Sequence, residues 1–202
     1  MSKIEIKEIR SVKKLKWLEM KNASVVYPNG LEEDYEFVER TTTKNGLDGV
    51  DIIAIVENDV VEGGEDELLL VKQFRIPTKH FVIEFPAGLM EDGETAAQAA
   101  LRELAEETGH VGGVVCHVSP GQPLPLECSI SNANSMVVYV KMKKSLNTKP
   151  LQHLDATEDI SFFSVPLKGL LPYLQAQSME GVLVDAKLYT FALGLQFDSI
   201  KK

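Results

Sequence analysis

Apolar residues in this chain fall mostly in short runs closed by turn residues, the signature of buried strands. Residues 50–56 (VDIIAIV) and 68–74 (LLLVKQF) each predict one, and residues 81–85 (FVIEF) a third that stops at Pro86-Ala87-Gly88. Residues 136–140 (MVVYV) and 160–165 (ISFFSV) predict two more. The stretch 57–67 is rich in Gly, Asp and Glu and reads as a loop. Upstream, residues 15–43 read as sheet. Pro28-Asn29-Gly30 is the turn and Tyr35-Glu36-Phe37-Val38 the returning strand, so a small N-terminal β-hairpin is expected. Helices are predicted from about Thr95 to Thr108, from near Leu167, and from about Val184 to Leu195. Strands and helices mix without a βαβ rhythm, so the expected class is α+β with a mixed sheet between helices. The expected division is an N-terminal β subdomain over residues 1–45 and a main domain over 46–202.

The helix from Thr95 changes the question from fold to chemistry. Thr95 and Gln98 have the form of a capping box, and Gly109 is a natural stop. At 100° per residue, Ala97, Ala100, Leu101, Leu104 and Thr108 share one arc suited to packing on a sheet, and Arg102, Glu103, Glu106 and Glu107 share the opposite arc. Acids three and four residues apart repel by roughly 0.2–0.5 kcal/mol per pair, and one arginine relieves only part of that. A solvated surface is the ordinary meaning of such a run. A hard divalent cation is the other, because Mg²⁺ prefers carboxylate and water oxygens.

Composition narrows the classes. The 202 residues are 44% hydrophobic, enough to fill one core, and no stretch approaches the roughly 20 apolar residues of a membrane helix. The alternating charges of residues 1–8 do not read as a secretory signal. A formal charge of −9 argues against a nucleic-acid polymer as partner. It leaves room for an anionic small molecule, since a bound cation reverses the local field. Cys116 and Cys128 lack metal or redox spacing, which suits reduced thiols in cytosol or nucleus. The four histidines form no metal spacing, and no nucleophile elbow or Walker-type loop is present.

The residues before the helix complete a pattern: GLMEDGETAAQAALRELAEETGH, from Gly88 to His110. Gly88, Glu94, Arg102-Glu103, Glu106-Glu107 and Gly109 stand at the spacing of the Nudix box. Average residue frequencies of roughly 5–7% make that seven-position match a chance event of order one in a million. His110 replaces the usual final aliphatic residue and touches none of the acids. The chain therefore resembles the Nudix hydrolases. That resemblance implies the Nudix fold and a loop–helix–loop that holds divalent metal and cleaves a nucleoside diphosphate linked to another group. Carried over by position, it implies Glu103, Glu106 and Glu107 as metal ligands with the Ala87 carbonyl. Arg102 orients the carboxylates and Glu94 braces the loop. The implied cofactor is Mg²⁺, with Mn²⁺ as the alternative.

The flanks resemble the ADP-sugar pyrophosphatase subfamily of eukaryotic type. The resemblance rests on Lys72-Gln73-Phe74-Arg75-Ile76-Pro77, Ile83-Glu84-Phe85-Pro86-Ala87-Gly88, Val38-Glu39-Arg40-Thr41-Thr42 and Val184-Asp185-Ala186-Lys187-Leu188-Tyr189. It implies hydrolysis of ADP-ribose or a related ADP-sugar to AMP and a sugar 5-phosphate. It also implies a homodimer whose N-terminal subdomain helps build each site. By the same resemblance Trp17 and Tyr35 stack on adenine, and Arg40 and Arg75 clamp phosphate or terminal ribose. Glu84 binds a ribose hydroxyl or ends a strand, and Leu89 lies against the substrate. Glu158, with Asp159 as its rival, supplies a further catalytic acid from a loop. The segment 119–134 departs most from the subfamily. Relatives carry Asp-Pro-Gly where this chain has Glu127-Cys128-Ser129, so Glu127 is the candidate replacement for that acid. Two other readings stay open: a broader nucleotide-sanitising Nudix hydrolase acting on 8-oxo-guanosine diphosphates, dinucleotides or caps, and a non-hydrolytic ADP-ribose-binding module.

Overall fold

The computed structural model describes residues 3–197, so the ends of the two predicted units, residues 1–2 and 198–202, lie outside the described residues. Strands β1 (Glu5–Lys14), β2 (Leu18–Val26) and β3 (Glu32–Arg40) form a three-stranded antiparallel sheet in that order. The predicted hairpin is β2–β3. The additional strand β1 pairs along β2 although all ten of its residues are exposed. Its backbone ladder, not burial, makes it a strand, and no hydropathy pattern marks that.

The second sheet is mixed and has nine strands among the described residues. It contains β4 (Gly49–Glu57), β5 (Glu67–Arg75), β6 (His80–Glu84), β7 (Ala87–Leu89), β8 (Val114–Val118), β9 (Leu124–Pro125), β10 (Asn134–Lys143), β11 (Ile160–Pro166) and β12 (Leu183–Val184). The path runs β12-β6-β5-β4-β10-β8, with β11 on β5, β7 on β4 and β9 on β10. β4 and β10 pair in parallel, as do β6 and β12. Side chains alternate across the sheet. Val50, Ile52, Ala54 and Val56 face α1 (Ala96–Thr108) and bury Ala99, Ala100 and Leu104. Ile53 and Ile55 face the other way, toward α2 (Leu170–Met179) and α3 (Ala186–Leu195), where Leu170, Leu174 and Leu188 are fully buried. A 3₁₀ turn at Leu167–Gly169 precedes α2. α3 starts two residues later than expected because residues 183–184 pair with β6 and Asp185 caps the helix through Lys187 and Leu188 N–H. The N-terminal sheet docks on the segment 129–132. Val38 N–H donates to the Ile130 carbonyl (2.9 Å) and the Tyr35 hydroxyl to the Ser129 carbonyl (2.5 Å). Among the described residues no helix is long and apolar enough to cross a membrane.

The arc assignment on α1 needs correction. The buried side chains are Ala99, Ala100, Leu104, Glu107 and Thr108, whereas Leu101 is exposed and Ala97 half-buried. Glu107 lies two turns beyond Ala100 on the same line, and Glu103 one turn beyond Ala99. The two acids therefore belong to the packing face, not to the face opposite it. Hydropathy assigns charges outward and cannot anticipate this.

Candidate active site

Both ends of α1 are built by local sequence. Thr95 Oγ accepts from Gln98 N–H while Gln98 Oε1 accepts from Thr95 N–H, which closes the capping box. At the other end Gly109 adopts φ +70° and its N–H bonds the Ala105 carbonyl. Between these caps the helix presents its acids to β7, the short strand after Pro86. That approach is close. A Cβ on Gly88 would lie 1.8 Å from the Glu103 carboxyl carbon, so any larger residue there would push the carboxylate out of this position.

Arg102 organises the charges. Its Nε and one terminal nitrogen fork onto Glu94 at 2.7 and 3.0 Å. The other terminal nitrogen reaches Glu103 at 2.8 Å and Glu106 at 3.0 Å, and a further bond goes to the Leu89 carbonyl at 3.0 Å. The fork holds the Glu94 carboxyl below its usual range, aided by the Glu91 N–H. Glu103 is pushed up by burial, against the pull of Arg102. Glu107 is 3% exposed and pushed up to about 8, first by burial and then by Glu103 and Glu158. The Ala87 N–H (3.1 Å) and Arg75 oppose that rise. Burial also raises Glu84, against its partner Arg75, whose Nε lies 2.9 Å away.

Arg75, Ala87, Leu89, Arg102, Glu103, Glu106, Glu107 and Glu158 all line one cavity of about 390 Å³. An adjoining cavity of about 330 Å³ shares Arg75, Ala87 and Leu89 and adds Arg40. The other four predicted residues line neither cavity. Trp17 is exposed and covered on one side by the Lys16 ammonium, 4.3 Å from its ring. Tyr35 and Glu127 both bond Ser129 at the docked segment. Glu84 reaches the cavity only through Arg75. Asp159 is exposed and does not line it, whereas His153 and Asp155 do. Asp51, Ser135 and Lys187 also line the second cavity and were not expected. The available signal was an acid inside the apolar run 50–56, where charge is rare unless paired.

The donor set suits a hard divalent cation: carboxylates, a backbone carbonyl and a buried acid whose ionisation its neighbours oppose. Among the described residues no three acids already converge as a cation cage. The ion pairs account for that, since Arg102 draws Glu103 and Glu106 to itself.

The segment bearing Glu158 is clamped to the helix end. His153 N–H donates to the Glu106 carbonyl (2.9 Å), and the Gln152 amide bridges the Glu107 and Ile160 carbonyls (2.5 and 2.9 Å). Gly109 permits this, because a Cβ there would stand 2.2 Å from the Leu151 backbone nitrogen. Gly109→Ala combines a left-handed alanine with a backbone collision, so we expect a loss of at least about 2 kcal/mol in urea unfolding. A fall in activity beyond that of a surface variant of equal stability would report displacement of Glu158.

A loop–helix–loop that crowds carboxylates around one arginine, beside a cleft walled by further arginines, defines a hydrolase site built for divalent cation and phosphate. The NUDIX domain model matches residues 49–184, two-thirds of the chain, and the chain belongs to the Nudix hydrolase family. It is 34% identical over 195 residues to the ADP-ribose pyrophosphatase of Saccharomyces cerevisiae, covering 95% of this chain and 82% of that one. It is 35% identical over 190 residues to the ADP-sugar pyrophosphatase of Mus musculus, covering 92% and 84%. Among solved structures it resembles an ADP compounds hydrolase with a TM-score of 0.67 and 22% identity, over 100% of this chain and 96% of that one, a likeness of fold.

Proposed function

We propose that this enzyme hydrolyses the diphosphate of ADP-ribose and related ADP-sugars with Mg²⁺, releasing AMP and the sugar 5-phosphate, ribose 5-phosphate from ADP-ribose. The observation that carries the reading is the buried Glu107 carboxyl beside Glu103 and Glu158, on a cavity that Arg75 also lines. Similarity to the yeast ADP-ribose pyrophosphatase and the mouse ADP-sugar pyrophosphatase supports the choice of substrate. Glu103, Glu106, Glu107 and the Ala87 carbonyl would hold the cation, which when bound neutralises phosphate charge and lowers the pKa of water. Arg102 and Glu94 keep the acidic stripe in register. Arg75, backed by Glu84, and Arg40 hold the diphosphate in the adjoining cleft. Glu158 accepts a proton from the attacking water.

We read residues 1–45 as an N-terminal subdomain, docked on residues 129–132, through which two copies associate as a homodimer. Trp17 adjoins Leu18, which pairs with Arg40, while Tyr35 pairs with Ala23. Five residues of β3 separate those pairings, about 17 Å at strand rise. Two rings that sandwich one base stand roughly 7 Å apart, twice a van der Waals contact. That backbone separation within one chain supports a base site to which two copies each contribute one ring. The exposed Ile6, Ile9, Val12 and Met20 of the same sheet supply apolar surface for that association.

AMP release from a nucleotide panel with Mg²⁺ tests the activity. Turnover of 8-oxo-guanosine diphosphate equal to that of ADP-ribose would overturn the narrow substrate, and binding without turnover would favour a sensing module. Mixing inactive Trp17→Ala and Tyr35→Ala chains should restore part of the activity, because each mixed dimer then has one intact pair. No recovery, or a monomer in light scattering, would sink the shared site.

A further inference from the structure

Asp51 is the one charged residue in β4 before its last position, and its side chain is 6% exposed. A carboxylate so enclosed needs partners. One oxygen accepts from the Ser135 hydroxyl of the neighbouring β10 at 2.5 Å, and the other from the Lys187 ammonium at 2.5 Å. Lys187 comes from the first turn of α3, where a cation opposes the helix dipole and is not there for the helix's sake. Its side chain is 42% exposed, so the acid lies behind and the ammonium in front. Arg75 is built the same way, with its Nε on Glu84, an acid 17% exposed. Both cations and Arg40 line the cavity of about 330 Å³ that continues into the acidic site through Ala87, Gly88 and Leu89. The link is direct in the backbone, for Asp51 pairs in register with Ala87, whose N–H holds Glu107.

An ordinary structural ion pair would need only one ammonium donor, and apolar residues of similar volume would serve that position as well or better. An ammonium has three donors. The bond to Asp51 uses one, and the others are available to a ligand in the cleft. Resting on the proposed hydrolysis of ADP-sugars, we propose that Lys187 is a third cationic ligand for the substrate diphosphate, with Asp51 and Ser135 as the residues that position it.

The test compares Lys187→Met, Lys187→Arg, Ser135→Ala and Asp51→Asn with the parent enzyme. Two readouts are taken with Mg²⁺ present: calorimetric Kd for ADP, and kcat and KM for ADP-ribose. We expect Lys187→Met to raise both Kd and KM about tenfold or more, with a smaller change in kcat. Lys187→Arg should stay within about threefold of the parent. Ser135→Ala should move KM in the same direction as Lys187→Met, by less, without a matching fall in melting temperature. Asp51→Asn follows Ser135→Ala if it folds, and the other variants decide the matter if it does not. A Lys187→Met enzyme within twofold of the parent in both Kd and KM overturns the proposal. So does a parent enzyme that binds no ADP. If the parent binds ADP yet fails to cleave ADP-ribose, the activity reading fails by itself and the Kd ratio still decides the role of Lys187.

Discussion

Glu107→Gln is expected to lower kcat about a thousandfold while leaving the fold intact. A thousandfold is about 4 kcal/mol of barrier, the scale on which a metal-bound carboxylate contributes to charge stabilisation. Gln keeps the shape of the side chain and an oxygen for the Ala87 N–H, so the loop before α1 stays tied to the helix. What it removes is the charge. The Glu107 carboxyl stands at about 8 in the folded chain, chiefly through burial, against an ordinary value near 4.5. The fold thus favours the protonated form. Its stabilising effect is fully present below pH ~4.5 and is lost as pH rises through about 8. In cation-free buffer the parent should therefore melt progressively lower than Glu107→Gln between about pH 4.5 and pH 8, with the gap levelling off above pH 8 and closing below pH 4.5. Cation binding at neutral pH must expel that proton. Apparent Mg²⁺ affinity should then rise with pH up to about 8, and calorimetry in two buffers of different ionisation heat should register proton release in the parent and much less in the variant. Full activity of Glu107→Gln would remove it from the site.

Much of the architecture was legible because burial writes itself into hydropathy. β4, β5, β6, β10 and β11 are apolar runs, and α1 carries both caps in its sequence. β1 was missed because its ten residues are all exposed, with charge on six of them. Its partner is a backbone edge, which leaves no trace in side-chain chemistry. β8 and β9 are too short and too exposed to signal. The site divides in the same way. Spacing within one helix and its preceding loop suffices to find Glu94, Arg102, Glu103, Glu106 and Glu107, since neighbours on a helix are fixed by geometry. Arg75 and Glu158 reach the same cavity from 27 or more residues away from Arg102, and nothing in the chain alone measures that distance. Asp51, Ser135 and Lys187 are the extreme case, three elements meeting at one buried carboxylate. The orientation of α1 required a fact that hydropathy cannot hold. Its packing face accommodates acids because Gly88 leaves room for one of them and the Ala87 N–H receives another.

Arg102→Ala is the substitution expected to cost most stability. One guanidinium bonds three carboxylates and the Leu89 carbonyl, and it supplies the only ion pairs that Glu94 and Glu103 make among the described residues. Their side chains are 17% and 13% exposed, so without Arg102 two largely enclosed carboxylates lose their counter-charge. Breaking such pairs costs about 3–5 kcal/mol when burial is complete. Partial solvent access brings the expectation to the lower end, roughly 3 kcal/mol, with Glu106 contributing little because it is 44% exposed. For a chain of 202 residues that is a fall of roughly 6–12 °C in melting temperature. Arg102→Lys should recover less than half of it. An ammonium cannot fork onto Glu94 and reach Glu103 and Glu106 together. The Glu94 carboxyl is held below its usual range by this arginine. Its contribution is therefore present above pH ~4.5 and fades as pH falls through the lowered value, so the gap between parent and variant should narrow in acid. Mg²⁺ separates this role from a general packing defect. In the variant a bound cation is the remaining positive charge beside Glu103 and Glu106, and it should raise the melting temperature of Arg102→Ala more than that of the parent. Equal shifts in the two proteins would mean that the arginine and the cation do not answer to the same carboxylates.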